Sequence, residues 1–195
     1  MTAWSLPRAA LIGGREYALN TDYRDILEII SLLNEADSLS ANACKEDNLY
    51  IALCLFYDGW LEHGDGAHAD QAARRMMAFI SCGIPEGGAS KPPVKLLDWE
   101  LDEPLIAAGV NRAAGVEVRA LPHMHWHTFI GHYLSVGDGP LATVTSIRAK
   151  LAKNAKLEKW EQDFYRENKP LVDLRRKLTA EELAEKERLM KLLDN

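Results

Sequence analysis

His123, His125, His127 and His132 fall within one short stretch, and histidines that alternate on a strand, or stand four apart on a helix, are a pattern that can share a metal ion. The backbone decides which. Trp126, Phe129, Ile130, Tyr133 and Leu134 recur at helical spacing, so the segment reads as a helix. On a helix only His123 and His127 adjoin, while His125 and His132 lie about 10 Å apart along the axis. Two imidazoles leave a tetrahedral zinc site without its third and fourth ligands, so no metal is expected, and the histidines read as rim and helix-start residues. A protonation response near neutral pH is the other use their chemistry offers.

The acidic run Asp98, Glu100, Asp102 and Glu103 has the residue types of a Mg²⁺ site or an acid/base pair. It also stands just before an expected helix, where carboxylates favour the free amides and the positive end of the dipole. Capping is the simpler role. Cys44, Cys54 and Cys82 are odd in number and contain no CxxC pair, which predicts reduced, buried thiols rather than a disulfide frame or a zinc site. No GxSxG, GxxxxGK[ST] or GxGxxG stretch occurs, and no catalytic or cofactor-binding residues are expected. The chain reads as a non-enzyme.

Charge is distributed unevenly. The whole chain of 195 residues carries a net −6, yet from Arg148 to Lys177 ten Lys/Arg face five Asp/Glu. Residues 1–147 carry ten basic against nineteen acidic side chains. Such polarity suits a protein partner, and the candidate contacts are Lys150, Lys153, Lys156, Lys159, Arg166 and Lys169, with Arg and aromatic side chains as anchors. The simpler alternative makes these solvated helix faces, with Leu157, Trp160, Phe164, Leu171 and Leu174 in the core. An acidic chain is a poor nucleic-acid binder, and its apolar runs fall short of the ~18 residues of a membrane span. The first residues lack a secretory signal's apolar core and cleavage site, which makes the cytoplasm the expected location.

The elements that must position these residues are mostly helices. Two short strands are expected at residues 9–19 around Gly13-Gly14, a pair suited to the positive φ angles of a tight turn. Helices are expected at roughly 22–35, behind the potential caps Asn20, Thr21 and Asp22, and at roughly 44–61, where a wide apolar face implies a central position. Another, at roughly 69–81, ends at Gly83. The stretch 84–94, rich in Pro and Gly, is a soft loop. Then follow a helix near 102–114, an extended 116–121, a helix opened by Pro122 and running to about Val136, and helices at roughly 141–153, 156–168 and 179–193. Thr179 and Glu182 form a capping box for the last. The fold class is therefore mainly α: a single helical domain over 1–178 with a short N-terminal β-hairpin, followed by a charged C-terminal helix at 179–195.

Six segments carry a resemblance. They are EYALNTDYRDIL at 16–27, LYIALCLFY at 49–57, FISCG at 79–83, KLLDWELDEPLIAAGVNR at 95–112, HWHTFIGHY at 125–133 and IRAKLAKNAKLEKWEQDFYRENKPLVDL at 147–174. In that order they resemble the bacteriophage gene product fifteen family, encoded in siphovirus-type and prophage tail modules. His127 stands where that family leads one to expect a second Trp. The resemblance implies a non-catalytic tail morphogenesis protein, a tail assembly chaperone that holds the tape-measure protein before the tube polymerises, acting in the host cytoplasm. Its partners would be phage tail proteins, the tape-measure protein foremost, and a second copy of the chain. A minor structural component of the virion is the alternative, and a metal-dependent hydrolase a remote one.

Overall fold

The computed structural model describes residues 4–38, 42–83, 95–174 and 188. The expected soft loop 84–94 lies outside them, as does the expected C-terminal helix 179–195 apart from Arg188. The described chain is mainly helical behind an N-terminal antiparallel hairpin, and it gathers into two compact units. One comprises residues 1–93 and 103–139, the other residues 94–102 and 140–195.

In the first unit, strands β1 (Ala9–Ile12) and β2 (Arg15–Ala18) pair with Ile12 opposite Arg15. Gly13 and Gly14 have φ of 55° and 83°, the left-handed pair that a two-residue hairpin turn requires. A Cβ on Gly13 would also stand 2.8 Å from the His68 ring. Helix α1 (Tyr23–Ser38) follows, with Ile26 and Ile29 fully buried. It packs on α2 (Asn42–Phe56), and Asn48 donates from α2 to the Leu32 carbonyl at 3.0 Å.

The single helix expected to about residue 61 is interrupted. The Asp58 amide donates to the hairpin carbonyl of Ala18 at 3.0 Å rather than to the helix. Gly59 then turns left-handed at φ 72° before the short α3 (Trp60–His63). Helix α4 (Ala69–Ile80) ends as its sequence foretells: Gly83, at φ 72°, returns its amide to the Ala78 carbonyl at 2.9 Å, the closing bond of a left-handed helix terminus.

Helix α5 (Glu103–Ala114) matches its expected span, but residues 116–121 are not extended. A 3-10 turn forms at Val118–Ala120, because the Asn111 side chain accepts the Val118 amide at 2.8 Å and the Glu117 carboxylate accepts that of Arg119 at 3.2 Å. Side chains here supply the acceptors that a neighbouring strand would have provided. Helix α6 (Trp126–Leu134) starts four residues later than Pro122 suggests. The delay has a cause: the residues before it pair with those before α1, with Tyr23 N bonding to Met124 O at 3.0 Å and Trp126 N to Thr21 O at 2.7 Å.

The core of this unit joins α1, α2, α4, α5 and α6. Tyr23 stacks on Phe129 at 4.4 Å with ring planes 4° apart, and Phe56 meets Phe79 edge-on at 5.1 Å. The Tyr57 hydroxyl donates to the Ala72 carbonyl at 2.8 Å, and burial raises the Tyr57 pKa far above its ordinary value. Each such aromatic removes enough apolar area from water to contribute about 1.5–3 kcal/mol before entropy is counted.

The second unit contains residues 95–102, α7 (Pro140–Ala152), α8 (Lys159–Glu167) and α9 (Lys169–Val172). Val144, Ile147 and Val172 are buried in it. The residue that organises it is Arg148, which is 6% exposed. Its Nε donates to Val172 O at 2.7 Å. Nη1 reaches Asp102 Oδ2 at 2.6 Å and Leu96 O at 3.0 Å; Nη2 reaches Asp102 Oδ1 at 2.8 Å and Leu171 O at 2.9 Å. All five guanidinium donors are thus used, and one side chain fastens α7 to the 95–102 segment and to α9.

Candidate interaction surface

The six candidate cationic residues do not behave alike. Lys150, on α7, gives its ammonium to buried Glu161 at 2.6 and 2.8 Å. That hydrogen bond, with one from the Glu158 amide, holds the Glu161 carboxyl below its usual pKa. Arg166 pairs with Asp163 at 2.8 Å on the surface. Lys153, Lys156, Lys159 and Lys169 are exposed and enter no ion pair among the described residues.

Local structure places these four. Helix α7 ends because Asn154 takes the left-handed conformation, φ 51°, with the Ala155 amide closing on Lys150 O at 2.8 Å, a role Asn shares with Gly. Lys153 and Lys156 therefore stand on the turn and the linker beyond it. Helix α8 opens with a capping box in which the Glu158 carboxylate accepts the Glu161 amide and the Glu161 carboxylate accepts that of Glu158 at 2.8 Å. Glu161 binds both this box and Lys150, so it fixes α8 to α7 and sets Lys159 on the first turn.

Trp160 was expected in the core with Leu157, Phe164, Leu171 and Leu174; it is instead 54% exposed. Its indole Nε1 donates to the Glu158 carboxylate at 2.9 Å, a partner at the exposed helix start rather than in the core. The other four are half-buried. Lys156, Lys159 and Trp160 are thus exposed close together in sequence at the start of α8: two ammonium groups of the kind that can donate to a partner's carboxylates, and an indole of the kind that can pack on apolar side chains.

The histidines are arranged differently from the helical expectation. The pair brought together is His125 and His127, ring centroids 5.2 Å apart, because α6 begins only after His125. His123 lies outside the helix, 3.2 Å from the Thr21 hydroxyl. His125 is a helix-start residue in the strict sense: its Nδ1 accepts the His127 amide at 3.1 Å, and its Nε2 lies 3.0 Å from Pro7 O. Burial lowers its pKa, as do His127, His123 and Arg8, against the raising effect of the Pro7 hydrogen bond. His127 Nε2 and Trp126 Nε1 reach the Phe79 and Ile80 carbonyls at the end of α4, at 3.0 and 2.8 Å. No group of three or more potential metal ligands occurs among the described residues.

The acidic run divides. Asp98 accepts the amides of Glu100 and Leu101 at 3.0 and 2.9 Å, closing the turn that precedes α5 rather than capping the helix itself, and Glu103 meets Arg119 at 2.8 Å. Asp102 does not cap α5. It is 1% exposed and serves Arg148 and the Asp98 amide. Cys54 and Cys82 are free and half-buried rather than fully buried.

Sequence reasoning missed the Arg148–Asp102 pair and the exposure of Trp160. The first spans 46 positions without a periodic signal; the second had one, Glu158 two residues before the indole. No family model, curated protein or solved structure matches the chain. Among the described residues, no helix is long and apolar enough to cross a membrane.

Proposed function

We propose that this protein is a non-catalytic tail morphogenesis factor of a phage or prophage, a chaperone that holds the tape-measure protein until the tail tube polymerises around it in the host cytoplasm. Two things support the reading: six ordered segments that resemble the gene product fifteen family, and a cationic, aromatic surface held in place by buried polar contacts. The observation that carries most is the surface itself. Lys156, Lys159 and Trp160 are each exposed, and the buried Glu161 carboxylate next to Trp160 in sequence ties α8, which carries Lys159 and Trp160, to Lys150 of α7. A long helical client offers carboxylates and apolar stripes to such a surface, and the protein's net negative charge keeps the complex dispersed.

Purification of this chain from an induced lysogen tests the proposal. The tape-measure protein is expected to come with it before tubes are complete, and the chain is expected to be missing from finished particles. Its retention in washed particles would make it a minor structural component, and a preparation lacking any tail protein would remove the tail assembly role.

A further inference from the structure

The hairpin and the chain around α3 enclose a half-open cavity of about 120 Å³ in the first unit. Two of its walls are aromatic: Tyr17, 5% exposed, and Trp60, 3% exposed, with ring centroids 5.3 Å apart. Arg15, His63, Asp65 and His68 line it as well. These side chains are held from several directions. The Tyr17 hydroxyl donates to the His63 carbonyl at 2.8 Å, and the Gly13 amide donates to the Gln71 side chain of α4 at 3.1 Å. The His68 ring lies so close to Gly13 that a Cβ has no room between them. The Arg15 guanidinium stands over the Tyr17 ring, 5.6 Å from its centroid, where the ring's electrons attract the cation.

The carboxylate in this set is already occupied. Asp65 accepts the Ala67 amide on one oxygen at 2.9 Å and meets His68 Nδ1 with the other at 3.1 Å. An ionised carboxylate only accepts, so His68 carries a hydrogen on Nδ1, and its Nε2 has no partner among the described residues. Nor does Arg15 enter an ion pair, or the His63 ring a hydrogen bond, among those residues. Three nitrogen-bearing side chains therefore line one small, preformed cavity with bonding capacity left over. A planar carboxylate would be satisfied by the Arg15 fork alone, whereas a phosphate dianion has the oxygens and the charge to engage all three. The volume suits a group of that size, being well short of the roughly 300–1,000 Å³ of a pocket for a drug-sized ligand. We propose that this cavity binds a phosphate group, with Arg15 as the bidentate donor, His63 and His68 as the further contacts, and Asp65 holding the His68 ring in place. The ligand is the free ion or the terminal phosphate of a monoester, whose remainder would leave through the open side. The site is independent of the tail-assembly reading.

The test is a titration of the full chain with inorganic phosphate at fixed pH and ionic strength, followed by the NMR signals of its six histidine rings. In wild-type protein the His63 and His68 signals, assigned with His63→Gln and His68→Gln, are expected to move and saturate together, while those of His123, His125, His127 and His132 stay. Arg15→Gln, at an exposed position, should keep the melting midpoint and weaken phosphate binding by on the order of tenfold or more, the loss of a hydrogen-bonded charge. Methyl phosphate separates the two sources: binding equal to that of inorganic phosphate supports the site and identifies an esterified ligand, and exclusion of the ester supports it and identifies the free ion. Shifts that never saturate or that spread over all six rings, acetate competing as well as phosphate, or a folded Arg15→Gln that binds phosphate as wild type does would each overturn the proposal.

Discussion

Arg148 shows how one residue type can determine a local architecture. A guanidinium presents five donors in a rigid plane, and the second unit supplies acceptors for all of them from Asp102, Leu96, Leu171 and Val172. Removing it strands a buried carboxylate and three carbonyls. Arg148→Met alone should destabilise the chain by about 3–5 kcal/mol, whereas Arg148→Met with Asp102→Leu should recover much of that loss, since breaking a buried pair costs more than replacing it. Denaturant midpoints would report both; a single mutant no less stable than the double one would contradict the assignment. His125 makes a second case at this scale. Burial depresses its pKa below the ordinary 6.5, so the native state holds it neutral while the unfolded chain binds a proton first. Stability from this group is complete above about pH 6.5 and falls as pH drops towards the lower folded value, where Nδ1 can no longer accept the His127 amide. His125→Asn keeps a cap acceptor and cannot titrate. The variant should therefore lose less stability than wild type between pH 7 and 5, and equal slopes would refute the role.

Among the elements, α6 carries an aromatic side chain at the centre of its buried face. Phe129 is 2% exposed, stacked on Tyr23 and close to Trp126, with ring centroids 5.9 Å apart. Phe129→Ala should cost about 3–5 kcal/mol through the cavity it leaves, and an unmoved melting midpoint would place that face on the surface. The apolar period that identifies α6 also identifies α1 and most of α2, because a buried face imposes its spacing on the residues that form it. Where the reading erred on an element's bounds, the cause was a hydrogen bond from outside that element, distant in sequence for α2 and α6 and seven residues away for the 118–120 turn. Ala18 takes the Asp58 amide and ends α2 early, Thr21 takes the Trp126 amide and delays α6, and Asn111 folds residues 118–120 into a turn. The interaction surface was legible as a charge imbalance but not in detail. Counting treats every cation alike, while Arg148 is buried, Lys150 and Arg166 are paired, and Trp160 is held outward by a neighbour's carboxylate.

For the whole molecule, acidic charge is concentrated ahead of residue 148 and basic charge from Arg148 to Lys177, and the exposed Lys153, Lys156 and Lys159 stand close in sequence to the exposed Trp160. Charge of this kind acts chiefly on how fast partners meet, since it is screened beyond about 8 Å at physiological salt. Coexpression of the tape-measure protein with wild-type chain, with the Lys153→Glu, Lys156→Glu, Lys159→Glu variant, or with neither therefore puts the proposed role to its most direct test. The soluble fraction of the tape-measure protein should be greatest with wild type, lower with the variant and least alone; a tape-measure protein as soluble alone as with the wild-type chain would contradict the role.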